Sequence, residues 1–480
     1  MPSTGTGGQA AQPRFVTGSL MRHVCVMAGT SAVGLIAVFA VDLINLFYLS
    51  LLGEKAIAAA VGFAGVLGFF HMSVCIGLII GIGAVVSRTI GAGQRAAARR
   101  IATASLVFTV GLTAVLGTGT VFFLGPALHL LGAEGETARL AQRYLAITVH
   151  SLPLLGIGMA CSTLLRSVGD AKRSMTITLI AAFVTAVLDP ILIFSFGLGL
   201  DGAAIAAVVS RAVMAAIGLH GVLVTHQLLG PFERAAFVAD VRALGGVAGP
   251  AVLTNLATPV AAAFVTHSIA QFGPAAVAGA ATIDRVSPVA FGLIYALSGA
   301  VGPILAQNLG AGQFRRVREG LRDSLLFMVI AVAVAWLVLA LGQGALIRAF
   351  SADGLAAELI ALFCTWLAPS FFFAGGLFVA NASFNNLGHP LLSTGFNWGR
   401  ATLGTIPFAW WGSHYGAGGV LIGSAIGSSI FGLLAVIVAF RLASTLAKQE
   451  LPPATPALDA PVAPTSPQTT VATLVTPEAS

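Results

Sequence analysis

"RTIGAGQRAAARR" at residues 88–100 and "AQNLGAGQFRRVREG" at residues 306–320 share Gly-Ala-Gly-Gln followed by arginines, with Gly91 and Gly310 lying 219 residues apart. The same offset relates Gly169 in "STLLRSVGDAKRS" (162–174) to Gly388 in "ASFNNLGHPLLS" (382–393). "GLGLDGAAIA" (197–206) is echoed by "YGAGGVLIG" (415–423) at an offset near 217. Matches recurring in order at one long spacing mark a duplicated unit, and the fold is decided by what that unit is.

Composition answers that question. Of 480 residues, 57% are hydrophobic and 9% charged, with a mean hydropathy of +0.95, far from the makeup of a soluble domain. Apolar stretches of about 20 residues, long enough to cross a roughly 30 Å hydrocarbon layer as helices, recur along the chain. Their spans are 24–50, 57–85, 101–124, 140–165, 174–196, 203–228, 244–269, 277–306, 324–347, 356–384, 391–411 and 418–442. The expected fold is thus an all-α integral membrane protein: twelve transmembrane helices in two six-helix lobes related by a parallel internal repeat. Both GAGQ loops follow the second helix of their half and so fall on the same face, which makes the repeat parallel, with its axis along the membrane normal.

The expected organisation is a disordered tail over 1–21, one lobe over 22–228, a linker over 229–243, the second lobe over 244–445 and a disordered Pro/Ala/Thr tail over 446–480. Twelve spans put both termini on one side. That side collects 17 of the 24 Lys and Arg residues, against 4 on the other, so both termini are expected in the cytoplasm and the chain in a bacterial inner membrane. The net charge of +7 then reads as orientation signal and contact with anionic membrane lipids, not as a nucleic-acid surface. The four Cys lie in apolar segments without ligand spacing, so neither a disulfide framework nor a metal site is expected. No HExxH, paired-acid or nucleophile-elbow motif suggests an enzyme. Two six-helix lobes suit an alternating-access carrier, with a duplicated scaffold or channel as the alternative.

Charges inside the spans narrow the chemistry. Asp42 lies 12 residues before Glu54 and Asp189 lies 12 before Asp201, which places both carboxylates roughly 18 Å in from the same face, at 1.5 Å per residue. An acid there costs from about 2.5 kcal/mol upward and usually marks an ion path or proton relay. Either acid could instead be structural: Asp42 bonded to Asn45, or Asp189 seated in a polar pocket left by Pro190, which removes a backbone hydrogen bond. Neither has an acidic counterpart in the second half, where Ala261 and Ile406 stand. Arg211, roughly 15 Å deep, reads as a fixed neutralising partner for Asp189. Asp284 and Arg285 form a candidate second-lobe site, or each has a partner of its own, since neighbours in a helix point to different faces.

These residues together resemble the multidrug and toxic compound extrusion (MATE) transporters over about residues 22–445. The resemblance rests on "LSLLG" (49–53), "GIGAVVSRTIGAG" (81–93) with its repeat "SGAVGPILAQNLGAGQ" (298–313), "LLRSVGDAKRS" (164–174) and "LDPILIFSFGLGLDGAAIA" (188–206). It implies a monomeric antiporter without cofactor, exchanging external H⁺ or Na⁺ for small organic cations. Asp42 and Asp189 fall where members of the DinF-like branch place their coupling carboxylates. Thr185 stands where those proteins often have Asn, and Ala207 where they often have Thr. The loss of oxygen ligands favours H⁺ over Na⁺. A flippase for lipid-linked or polysaccharide cargo is the alternative within the same superfamily.

Overall fold

The computed structural model describes residues 13–51 and 55–448, which are helical almost throughout. The first half runs α1 (Leu20–Leu51), α2 (Lys55–Gly91), α3 (Arg95–Leu130), α4 (Gly135–Val149), α5 (Leu152–Ser167), α6 (Ala171–Pro190) and α7 (Gly199–His220). The second runs α8 (Arg234–Ala270), α9 (Pro274–Ala290), α10 (Gly292–Gly310), α11 (Phe314–Ala349), α12 (Gly354–Leu362), α13 (Phe371–Asn386), α14 (Pro390–Gly399), α15 (Ile406–Ser413) and α16 (Ala417–Ala447). Ten described helical segments are long and apolar enough to cross a membrane, and α4 with α5, meeting at a 51° bend, supplies an eleventh. α14 and α15, continuous through a π-helical stretch at Arg400–Thr405, form a further helical segment over residues 390–413. In lipid the backbone must satisfy its own hydrogen bonds, so sequences this apolar close them along the helix.

Breaks in the spans have local causes. Pro288 near the end of α9 lacks an amide hydrogen, and the chain turns at Phe291 before α10 resumes. Pro190 ends α6 and a π-helical turn, Ile191–Ser195, takes over. The α4/α5 bend at His150–Ser151 is matched 219 residues on by a 3₁₀ turn at Ala368–Ser370, so the duplication preserves a break in the fourth span.

The two halves meet most closely where α2 and α10 cross. A Cβ on Gly91 would overlap the backbone of Gln307, and one on Gly310 would overlap the carbonyl of Arg88. Arg88 and Gln307 are themselves repeat equivalents. Around this crossing one hydrogen bond is drawn twice: Arg88 Nη2 donates to the Asn386 carbonyl at 2.8 Å, and Gln307 Nε2 donates to the Ser167 carbonyl at 2.6 Å. Ser167 and Asn386 are again 219 apart. Farther along α2, Gly77 and Gly81 admit the backbone of α8 at Ala248 and Leu244. The lobes are therefore latched at the end that carries the GAGQ loops.

Two expected boundaries shift. Residues 13–19, read as part of a disordered tail, instead lie across the latch. Phe15 is 1% exposed, its N–H donates to Gln307 Oε1 at 3.0 Å, and its carbonyl accepts from Asn308 Nδ2 and Arg316 Nη2. Arg14 Nη1 donates to the Gly169 carbonyl of the other lobe at 3.0 Å. One buried aromatic ring and a run of backbone hydrogen bonds order a segment too short to show periodicity. The linker expected over 229–243 is helical from Arg234, because Asp240 is held by Arg100 at 3.0 Å and its helix packs on α2 and α3. The expected tails over 1–12 and 449–480 lie outside the described residues, as does Glu54.

Gly91→Val and Gly310→Val are each expected to lower the stability of the detergent-purified protein by about 1–3 kcal/mol, the usual cost of overpacking. Thermal unfolding is the readout. Gly111→Val, where nothing stands within 4 Å of the added carbon, is the control and is expected to leave stability nearly unchanged.

Candidate functional site

α1 carries Asp42 and α6 carries Asp189, and the two helices pack along one another. Asp189 is fully buried, and neither of its carboxylate oxygens has a hydrogen-bond partner. Asp42 is exposed at the helix surface, near enough that its charge reaches Asp189. Asn45, one turn on, keeps its Oδ1 buried and unpartnered. Thr185, one turn before Asp189, donates its hydroxyl to the Ala181 carbonyl at 3.1 Å, back along its own helix. Two bare carboxylates can take up a proton, whereas a cage of oxygens around a metal ion is not assembled here.

Arg211 does not pair with Asp189. Its Nη1 donates to the Thr148 carbonyl and to Ser151 Oγ, both at 2.8 Å. The bend between α4 and α5 gathers donors at the Thr148 carbonyl: the Ser151 N–H and Oγ donate to it at 3.1 and 2.6 Å, and a guanidinium two helices away adds a third. Tyr144 of α4 lines the same cavity as Arg211.

In the second lobe, Asp284 and Arg285 on α9 are both exposed, and neither forms an ion pair among the described residues. On the same lobe the Nε of Arg400 is buried without a partner. Tyr144, Tyr295 and Arg400 carry no motif. Their one signal is scarcity, since the chain has only four Tyr, and Tyr144 shares a cavity with Arg211.

Between the lobes, close to the latch, lies a cavity of about 220 Å³. Its polar lining is amide-rich: Asn255, Asn381, Asn385, Asn386 and Asn397, with the guanidinium of Arg166 from the first lobe. Arg166 is held by hydroxyls, Nη2 donating to Thr163 Oγ1 at 2.8 Å and Nη1 to Ser174 Oγ at 3.2 Å. Asn397 Nδ2 and Ser393 Oγ both bond the Asn381 carboxamide oxygen, fixing that wall. The aromatic residues of this half serve mainly packing: Phe371 stacks on Phe291 with ring centroids 3.8 Å apart, and Phe396 on Phe384 at 5.7 Å.

Because Arg211 and Asp189 share no contact, the stability losses of Arg211→Ala and Asp189→Asn are expected to add within about 0.5 kcal/mol in a double-mutant cycle. Thermal unfolding of the two single variants and the double variant measures this. A coupling clearly above that value would mean the two charges act as a pair.

Comparison with known proteins agrees with this architecture. A family model described as MatE matches residues 31–191 and again 250–411, once in each half. A FAD transporter of Shewanella oneidensis is 30% identical over 426 residues, covering 87% of this chain and 93% of that protein. The multidrug export protein MepA of Staphylococcus saprophyticus is 24% identical over 318 residues, covering 65% of this chain and 69% of that one. Among solved structures, a mutant of the Vibrio cholerae MATE transporter VcmN superposes with a TM-score of 0.85 at 25% identity, over 89% of this chain and 97% of its own. The duplicated twelve-span fold, the family match in both halves and the relatives spanning nearly the whole chain lead to one conclusion: this chain belongs to the MATE family, whose members are secondary membrane transporters and not enzymes.

Proposed function

We propose that the protein is a proton-coupled antiporter that exports small organic cations across the bacterial inner membrane, as a monomer with both termini in the cytoplasm. The observation that carries this reading is the pair Asp42 and Asp189 on packed helices of one lobe, neither in an ion pair among the described residues. Two carboxylates attract a cationic solute when ionised and lose that attraction when protonated. Proton and solute then favour different states of the lobe, which is what exchange requires. Sodium would need several more oxygen ligands than Thr185, committed to its own helix, and Ala207 can offer.

In this reading the latched end is cytoplasmic and the cavity opens outward. Proton uptake on the first lobe precedes release of the latch, and the amide-rich cavity between lobes holds the solute while the lobes rock. Arginines at the cytoplasmic ends of the helices contact anionic lipid headgroups.

A second reading is favoured by one relative and one feature of the cavity. The Shewanella oneidensis relative is a FAD transporter, and the cavity between lobes presents Arg166 and five carboxamides and no acid. Such a wall suits an anionic, hydrogen-bonding solute of the flavin nucleotide kind better than it suits a lipophilic cation.

Proteoliposomes loaded with ethidium or with FAD, under a pH gradient or a Na⁺ gradient alone, separate these readings. A pH gradient is expected to drive ethidium export and a Na⁺ gradient alone is not. Asp42→Asn, which keeps shape while removing titration, is expected to reduce gradient-driven export to background at unchanged membrane abundance. Strong export under Na⁺ alone, insensitive to pH, would overturn the proton assignment. FAD export without ethidium export would select the second reading.

A further inference from the structure

Arg211 is a formal charge within the membrane span of α7 that forms no ion pair with a carboxylate among the described residues. A guanidinium keeps its proton in proteins and offers five N–H donors in a fixed fork. Its Nη1 accounts for the bonds to Thr148 and Ser151, and its remaining nitrogens bond to no described residue and are not among the sealed, unpartnered atoms. They line a cavity of about 180 Å³ enclosed by α2, α4, α5 and α7. The wall from α2 is formed at Gly65 and Gly68, where a Cβ would meet nothing within 4 Å, so this helix leaves room that any side chain would fill. Tyr144 lines the same space, and its hydroxyl has no hydrogen-bond partner among the described residues. His71 closes one side, its Nε2 lying 2.8 Å from Thr120 Oγ1, which itself donates to the Leu116 carbonyl.

An unpaired charge at this depth is costly, and partners that cancel it are ordinarily found close by. Here the partners are a carbonyl and a hydroxyl, which satisfy hydrogen bonds but not charge. We propose that this cavity in the first lobe is a binding site for a small anion, held by the free donors of Arg211 and the Tyr144 hydroxyl. The space is below the roughly 300–1,000 Å³ of pockets that enclose a whole drug-sized solute. It has room for one halide, nitrate or carboxylate group with little water. The negative group comes either from solution or as the acidic end of an exported solute; the site itself does not depend on which solute the protein exports.

Full-length protein in detergent, exchanged into sodium gluconate and titrated with chloride, nitrate or acetate at constant ionic strength, tests this by thermal unfolding. A molecule that binds only the folded state raises the unfolding temperature saturably. The wild type is expected to show a saturable rise of several degrees with at least one of these anions. Arg211→Gln is expected to abolish the rise by removing the charge. Gly68→Val is expected to abolish it by filling the cavity with Arg211 in place, and keeps the test open should Arg211→Gln fail to fold. A response to FMN alone, lost in the same variants, would assign the site to the acid of a solute. No response to any of these anions, or a response unchanged in Gly68→Val, would overturn the proposal.

Discussion

The crossing of α2 and α10 at Gly91 and Gly310 is the contact on which the arrangement of the two lobes depends. Two helix backbones touch there with no side chain between them, and each glycine admits the peptide that precedes the other by three residues. Helices in lipid associate through such close packing and hydrogen bonds, because the surrounding tails remove the hydrophobic incentive that drives association in water. The crossing sets the register of one half against the other. Only in that register do Arg88 and Gln307 reach the Asn386 and Ser167 carbonyls. Backbone contact of this kind also separates without unthreading interlocked side chains. Ser87 Oγ, Asn385 Oδ1 and Asn386 Oδ1 lie buried near the seam without protein partners. A joint held by backbone contact suits a transporter that must open it in every cycle.

The duplication is faithful in backbone and unfaithful in charge. Paired breaks, paired glycines and paired latches keep the lobes mechanically alike. Asp42 and Asp189 belong to the first lobe alone, while the second carries Asp284, Tyr295 and Arg400 at other positions.

Two arginines inside the spans sit at helix breaks or ends and not beside acids. Arg211 joins Ser151 at the carbonyl of the α4/α5 bend, and Arg166 is held by three hydroxyls at the end of α5. A planar fork of donors satisfies freed oxygens readily, which is why such a residue settles at a break even where its charge finds no opposite.

The sequence by itself determined the architecture and the residues that could carry charge across it. Hydropathy has one meaning in lipid, so the twelve spans were legible, and an offset of 219 residues tied Gly91 to Gly310 before their contact was visible. Depth along a helix could also be counted, so Asp42, Asp189 and Arg211 could be assigned similar levels. Which of them face one another could not be counted, because residues at one depth can point around a helix in any direction. The structure turned Arg211 toward Thr148, through a bend at His150–Ser151 that no Gly or Pro at those two positions announces. It also ordered Phe15 across the latch, since a seven-residue segment has no periodicity to read and gains its order from a pocket built by α10 and α11. Tyr144 and Tyr295 became site residues for the same reason: their roles arise from packing between helices distant in the chain, and tertiary structure alone sets those distances.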